Sequence, residues 1–290
     1  MKSFTKLSHD FRKQIIRDYM CGISIDDICT MYNLTFDTVY STIYYKRNED
    51  KELIKKVIQR KIDDDRIIIM GDTHLGGLYE NYNYIEMIYN YAKEHGIKTI
   101  LHAGDLIDGY IDDYRYTNIK NPIDQAEEFT CFYPEDDSIK NYMIFGNHDL
   151  TAVYQSLDVL DILKERKDFD YLAVKKAYFM WKDIIIGLKH DIDYYKVLYP
   201  YKIEEVDFSG HLHRFDHVDA TEERPEKVYI PACLSTYGTR NQDYLPGFLN
   251  CTLNGNEMNI ECIHFNDNKI EGTYKVLQKK CEPNPEFMKR

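Results

Sequence analysis

The hydrophobic pattern changes period partway along the chain. Before residue 48, apolar side chains recur at helical spacing. Phe11, Ile15, Ile16 and Tyr19 predict a helix from Ser8 to Met20, which Gly22 breaks. Ser24 is placed to cap a second helix, with Asp26 and Asp27 in its first turn and Ile25, Ile28 and Met31 on one face. Asn33 and Leu34 predict a turn. Thr35 then caps a third helix, which carries Phe36, Val39, Tyr40 and Ile43 as apolar positions and runs to Lys46 and Arg47. Residues 49–65 are charged, end in Asp63-Asp64-Asp65, and predict a helical linker.

From Arg66 the period shortens. Compact apolar runs predict strands at 66–70, 99–103, 142–145, 177–181, 184–189 and 206–209, and later at 228–230, 247–253, 258–264 and 272–277. Helical spacing returns at 82–95, around 123–132 and at 154–166. Strands alternate with helices at first and then follow one another directly. That order predicts an α/β body of two sheets packed face to face with helices outside, an α/β/β/α sandwich. The chain therefore divides into a small all-α tri-helical module (1–48), a linker (49–65) and a body (66–290).

Composition narrows the class. The chain of 290 residues is 43% hydrophobic and 30% charged, ordinary for a globular protein with a large core. No run approaches the length of a membrane span, and the first ten residues lack an apolar signal core, so a cytoplasmic location without membrane contact is expected. The seven cysteines form no Cys-x-x-Cys pair and read as reduced thiols. Net charge is −12, unevenly spread: residues 1–60 hold 11 Lys and Arg against 8 Asp and Glu, and residues 61–290 hold 26 against 41. An acidic body does not bind nucleic acid by electrostatics alone, although bound divalent cations reverse the field locally. The 26 tyrosines read as compositional bias rather than stacking platforms.

The chemistry lies at the strand ends. Gly71-Asp72-Thr73-His74, Gly104-Asp105, Gly146-Asn147-His148-Asp149 and Gly210-His211-Leu212-His213 each follow an apolar run, and His190 ends another. Open α/β sheets place ligands at the C-terminal ends of strands. Asp72 and His74 sit two apart, so both can face one cation. Asp105 has two oxygens to share between cations. Asn147 adds a neutral oxygen, and His190, His211 and His213 add nitrogens. This mixed shell suits Mn²⁺, Fe or Zn²⁺ better than Ca²⁺ or Mg²⁺.

Taken in order, these five elements resemble the calcineurin-like metallophosphoesterase superfamily over roughly residues 66–265. The resemblance implies one metal held by Asp72, His74, Asp105 and His213, and a second held by Asp105, Asn147, His190 and His211, with manganese first and iron or zinc next. It implies a metal-bridging hydroxide as nucleophile, His148 as the imidazole that contacts the phosphate or protonates the leaving oxygen, and Asp149 as the group that orients it. One departure bears on substrate. The serine/threonine phosphatase branch has an arginine where this chain has Gly109, in Gly104-Asp105-Leu106-Ile107-Asp108-Gly109. Loss of that bidentate clamp favours phosphodiesters over monoesters, unless Arg115, Arg214 or Arg240 substitutes. Asp72–Gly76 also resembles the opening of double-strand-break repair nucleases, whose large DNA-capping insertions have no counterpart here.

The N-terminal pattern resembles the helix-turn-helix of homeodomain-like and transposase-like modules. That implies a recognition helix presenting Thr38, Ser41, Thr42, Tyr45, Lys46 and Arg47 to DNA. The expectation is a bacterial or phage phosphodiesterase acting on nucleic acid or nucleotides. Two rivals stand beside it: a phosphomonoesterase acting on a nucleotide, small metabolite or phosphoprotein, and a DNA-binding regulator whose hydrolase fold senses a nucleotide.

Overall fold

A computed structural model describes residues 7–20, 23–44, 58–109, 117–174, 176–190, 204–221, 225–234, 245–266 and 269–283. Three short helices come first: α1 (His9–Met20), α2 (Ile25–Tyr32) and α3 (Phe36–Tyr44). Ser24 Oγ accepts from Asp27 N and caps α2, and Asn33 ends it in the left-handed region at φ 51°. Ile15, Ile28, Val39 and Ile43 form their shared core. Three positions expected on the apolar faces lie outside it, the first of them Met31 on α2, 57% exposed. Phe36 and Tyr40 are 52% and 40% exposed and stack on each other, because α3 turns only Val39 and Ile43 towards its neighbours. Tyr45, Lys46 and Arg47 lie outside the described residues.

The body holds two sheets. One has seven strands in the order β13-β12-β11-β2-β3-β4-β5. Its strands are β2 (Arg66–Met70), β3 (Thr99–His102), β4 (Lys140–Phe145), β5 (Phe169–Val174), β11 (Gly247–Asn254), β12 (Glu257–Asn266) and β13 (Lys269–Lys280). Strands β2 to β5 run parallel, and β11 to β13 form an antiparallel extension. The other sheet has six strands in the order β1-β6-β7-β8-β10-β9. These are β1 (Ile58–Ile62), β6 (Lys176–Trp181), β7 (Ile184–Lys189), β8 (Val206–Ser209), β9 (Asp216–Val218) and β10 (Glu226–Tyr229).

Alternation along the strands builds two cores. Ile67, Ile69 and Leu101 meet Phe179, Trp181, Ile186 and Phe208 between the sheets. Ile68, Met70, Ile100 and Met143 face the other way, against α4 (Tyr82–Glu94), α5 (Pro122–Phe132), α6 (Asn147–Gln155) and α7 (Asp158–Leu163). A strand covered on both faces reads as an unbroken apolar run, as Ile67–Met70 does. Helices α4 to α7 all lie on the seven-stranded sheet. The described residues supply three layers of the expected four, and the outer face of the six-stranded sheet is buried as well, at Tyr178, Met180 and Ile185.

Three expectations are corrected. Residues 58–62 form strand β1 rather than part of a helical linker, paired parallel with β6. Arg60 reaches Asp170 at 2.7 Å and Gln59 Oε1 accepts from Tyr178 N, so its partners come from more than a hundred residues away. The helix expected at 154–166 is two helices, α6 and α7. Asp149 accepts from Gly146 N at 2.9 Å and starts α6 at Asn147, and extended backbone at Ser156 ends it. Strands β5 and β9 have no counterpart in the sequence expectation.

Candidate metal centre

All seven expected ligands meet at the top of the sandwich, between the two sheets. Asp72 and His74 follow β2, Asp105 follows β3, Asn147 opens α6 after β4, His190 follows β7, and His211 and His213 follow β8. The backbone there is bent to purpose. Among the described residues seven non-glycine positions have φ in the left-handed region, and five of them are Asp72, His74, Asp105, His211 and His213. Each costs about 1–3 kcal/mol, so strain is concentrated on the residues whose side chains converge. Gly104, at φ 92°, lets the β3 and β4 loops touch: a Cβ there would lie 2.5 Å from Gly146 N.

Two foci share Asp105. At the first, His74 Nε2 lies 3.2 Å from His213 Nε2 and 3.7 Å from Asp105 Oδ2, and His213 Nε2 lies 3.4 Å from Asp72 Oδ1. At the second, His190 Nε2 lies 3.0 Å from Asp105 Oδ2, 3.1 Å from Asn147 Oδ1 and 3.3 Å from His211 Nδ1. Ligand atoms of Asp72, His74 and His213, and again of Asp105, His190 and His211, fall within 4.8 Å of one another.

The tautomers test whether a cation fits. His190 Nδ1 sits 2.7 Å from the Ala103 carbonyl and must donate to it, so its Nε2 turns a lone pair towards the oxygens of Asp105 and Asn147. His74 Nδ1 likewise faces Asp108 Oδ1 at 3.2 Å, leaving its Nε2 to face His213 and Asp105. Acceptor set against acceptor in a buried site is costly unless positive charge lies between them. The oxygen and nitrogen donors, each with its far side anchored, fit a divalent transition ion at each focus.

Without an ion, a proton serves the second focus. Burial pushes the His190 imidazole down, but the carboxylates of Asp105 and Asp72 overcome it and raise it to about 9. Burial keeps His74 below its ordinary value. The proton on His190 stabilises the ion-free fold below pH 6.5, and that contribution is lost as pH rises through about 9. A cation must displace it. Loading is therefore expected to strengthen by about tenfold per pH unit across this window, with one proton released. Calorimetry in buffers of differing ionisation heat counts that proton, and a pH-independent affinity would remove His190 from the ligand set.

His148 stands beside the first focus, its ring edge-on to His74 at 4.4 Å between centroids. Its backbone N donates to Asp105 Oδ1 at 2.9 Å. Its imidazole is not oriented by Asp149. His148 Nδ1 donates to the Asp108 carbonyl at 2.6 Å, whereas both Asp149 oxygens accept backbone N–H groups, from Leu106, Ile107 and Gly146. Asp149 thus fastens the Asp105 loop to the head of α6. Burial and the nearby Asp105 charge push its carboxyl up to about 7, against the pull of those donors.

Sequence reasoning assigned no role to Asp108, whose side chain holds His74 and accepts from Thr117 Oγ1 at 2.8 Å while its carbonyl holds His148. The available signal was a second carboxylate three residues after Asp105. His102 is buried close to the ligand loops, and that burial pushes it down to about 4. On α3, Thr38 Oγ1 pairs with Thr35 Oγ1 and Thr42 Oγ1 donates to the Thr38 carbonyl.

Among solved structures the chain is similar to zinc-complexed Vps29 from Entamoeba histolytica, at 12% identity and TM-score 0.44 over 74% of this chain and 98% of that one. It is also similar to a predicted phosphoesterase from Streptococcus pneumoniae TIGR4, at 13% identity and TM-score 0.42 over 74% and 98%. A third likeness is to an archaeal phosphodiesterase, at 14% identity and TM-score 0.40 over 74% and 99%. No curated protein matches the sequence. No described helix is long and apolar enough to cross a membrane. Residues 65–230 match the family described as calcineurin-like phosphoesterase, and the chain belongs to that family.

Proposed function

We propose that the chain is a binuclear-metal phosphoesterase acting on phosphodiesters of nucleic acids or nucleotides. The observation that carries the reading is the pair of foci joined by Asp105, with lone pairs turned inward from anchored side chains. Asp72, His74, Asp105 and His213 would hold one ion, and Asp105, Asn147, His190 and His211 the other, with manganese the first candidate and iron or zinc next. Two such ions, when bound, supply an acidified water nucleophile and neutralise charge on the phosphoryl oxygens.

The chain's own groups do the rest. His148 keeps its Nδ1 hydrogen on the Asp108 carbonyl and turns Nε2 to the substrate; as the imidazolium it gives the Nε2 proton to the leaving oxygen and returns to the Nδ1–H form. Asp149 keeps Asp105 and His148 in register by pinning the loop between them. Gly109 supports the diester preference. It adopts φ 65°, and a Cβ there would lie 2.5 Å from the His148 carbonyl oxygen. The backbone thus leaves no room for a cationic clamp on a monoester dianion at that position.

The test is a panel: purified protein with Mn²⁺, Zn²⁺ or Fe²⁺ on bis(p-nitrophenyl) phosphate, p-nitrophenyl phosphate, and single- and double-stranded DNA. Diesters are expected to turn over faster than the monoester. The reverse order points to a monoesterase, and tight DNA binding without turnover points to a regulator. The same reading gives the N-terminal helices a nucleic-acid contact through Thr38, Ser41, Thr42, Tyr45, Lys46 and Arg47. A mobility shift on duplex DNA should weaken when Lys46 and Arg47 are both changed to alanine in the full chain.

A further inference from the structure

We propose that Gln125, on α5, is a positioning residue for His148, acting through the peptide that joins Asp108 to Gly109. The proposal rests on the reading of His148 as proton donor. Gln125 is fully buried and spends its whole amide on backbone. Its Oε1 accepts from Gly109 N at 2.8 Å, and its Nε2 donates to Gly109 O at 3.2 Å and to Ile119 O at 2.6 Å. One side chain therefore serves both backbone groups of Gly109, as a neighbouring strand would.

The consequence crosses a single peptide unit. In a planar trans peptide the N–H and the carbonyl point in opposite directions. The N–H of Gly109 points at Gln125, so the carbonyl of Asp108 points away from it, and there it meets His148 Nδ1 at 2.6 Å. Gln125, the peptide and His148 form one hydrogen-bonded chain in which each bond polarises the next. Fixing the peptide plane fixes the acceptor, and the acceptor fixes the tautomer: one hydrogen stays on Nδ1, and Nε2, turned to the site, is the nitrogen that takes up and gives away the second proton. Gly109 holds its left-handed conformation against the His148 carbonyl with no space for a side chain, so no side chain at that position braces the plane.

The residue type is specific. A glutamate could accept from Gly109 N but would set its other oxygen against the carbonyls of Gly109 and Ile119. An apolar side chain would leave all three backbone groups without the amide.

Gln125→Met, of similar length and volume, removes the amide. Gln125→Asn, which keeps an amide one methylene short of spanning both groups, serves if the first variant does not fold. Two readouts separate positioning from simple destabilisation. The first is the two-bond ¹H–¹⁵N spectrum of His148 in the ion-free protein, its peaks identified by their loss in His148→Asn. Wild type should show the Nδ1–H tautomer and the variant a mixture. The second is a pair of substrates. p-Nitrophenolate leaves without a proton, so bis(p-nitrophenyl) phosphate turnover should change less than about threefold. Cleavage of a thymidine dinucleotide, whose sugar alkoxide needs the proton, should fall at least about tenfold. An unchanged tautomer, or an unchanged ratio of the two rates, overturns the proposal. If wild type cleaves neither diester, the functional reading falls instead, and the tautomer alone decides the role of Gln125.

Discussion

Asp105→Ala is expected to strip both ions and to lower diester hydrolysis by at least about 10⁴-fold, because Lewis-acid stabilisation of several kcal/mol goes with them. The size of the effect follows from where its oxygens lie. Asp105 Oδ2 is 3.0 Å from His190 Nε2 and 3.7 Å from His74 Nε2, so one carboxylate reaches both foci. Asn147 reaches only the second, at 3.1 Å from His190. Asn147→Ala is the matched comparison and should cost one ion. Asp105 Oδ1 also accepts from His148 N, and leaving that donor unpaired costs a further 1–3 kcal/mol, roughly, in stability. Elemental analysis with circular dichroism separates loss of ions from loss of fold. Two ions retained by a folded Asp105→Ala chain would end the shared-ligand reading.

His148→Asn is expected to lower kcat by about 10²–10⁴-fold while keeping two ions per chain. The geometry offers a competing role that makes the experiment informative. A ring nitrogen of His148 falls within 4.8 Å of ligand atoms of His74 and Asp105, so His148 is also placed as a third member of an ion cluster. Nδ1 is committed to the Asp108 carbonyl, as in the ligand histidines, so Nε2 suits either role; what favours the proton donor is a site already served by His74, His213 and Asp72. A ligand would lose metal on substitution; a proton donor would lose rate, most on substrates with poor leaving groups. Metal content measured beside kcat distinguishes the two.

Much of the site was legible because its chemistry is carried by residue identity. Asp72, His74, Asp105, Asn147, His190, His211 and His213 each follow an apolar run, six of them in glycine-bearing turns, and the structure brings all seven together. Two of the strands were legible for a related reason: Ile67–Met70 and Ile184–Lys189 are buried on both faces, so no solvent-facing polar residue interrupts the run. Strand β1 was not legible. Its five residues, Ile58–Ile62, are mostly polar, and only the edge of β6 makes them a strand. The role given to Asp149 failed similarly. Adjacency to His148 suggested a side-chain contact, but the carboxylate turns to three backbone N–H groups, two of them more than forty residues away.

The sequence by itself determined which donors are present, in what order, and that they stand at strand ends, because those are properties of residue type and local hydrophobic period. The tertiary structure alone decided which lone pairs face inward. Ala103 and Asp108 set the tautomers of His190 and His74, and the Asp108 carbonyl, braced by Gln125, sets that of His148. A tautomer depends on the one partner a nitrogen meets in space, and those partners come from loops and a helix that only packing brings to the same place.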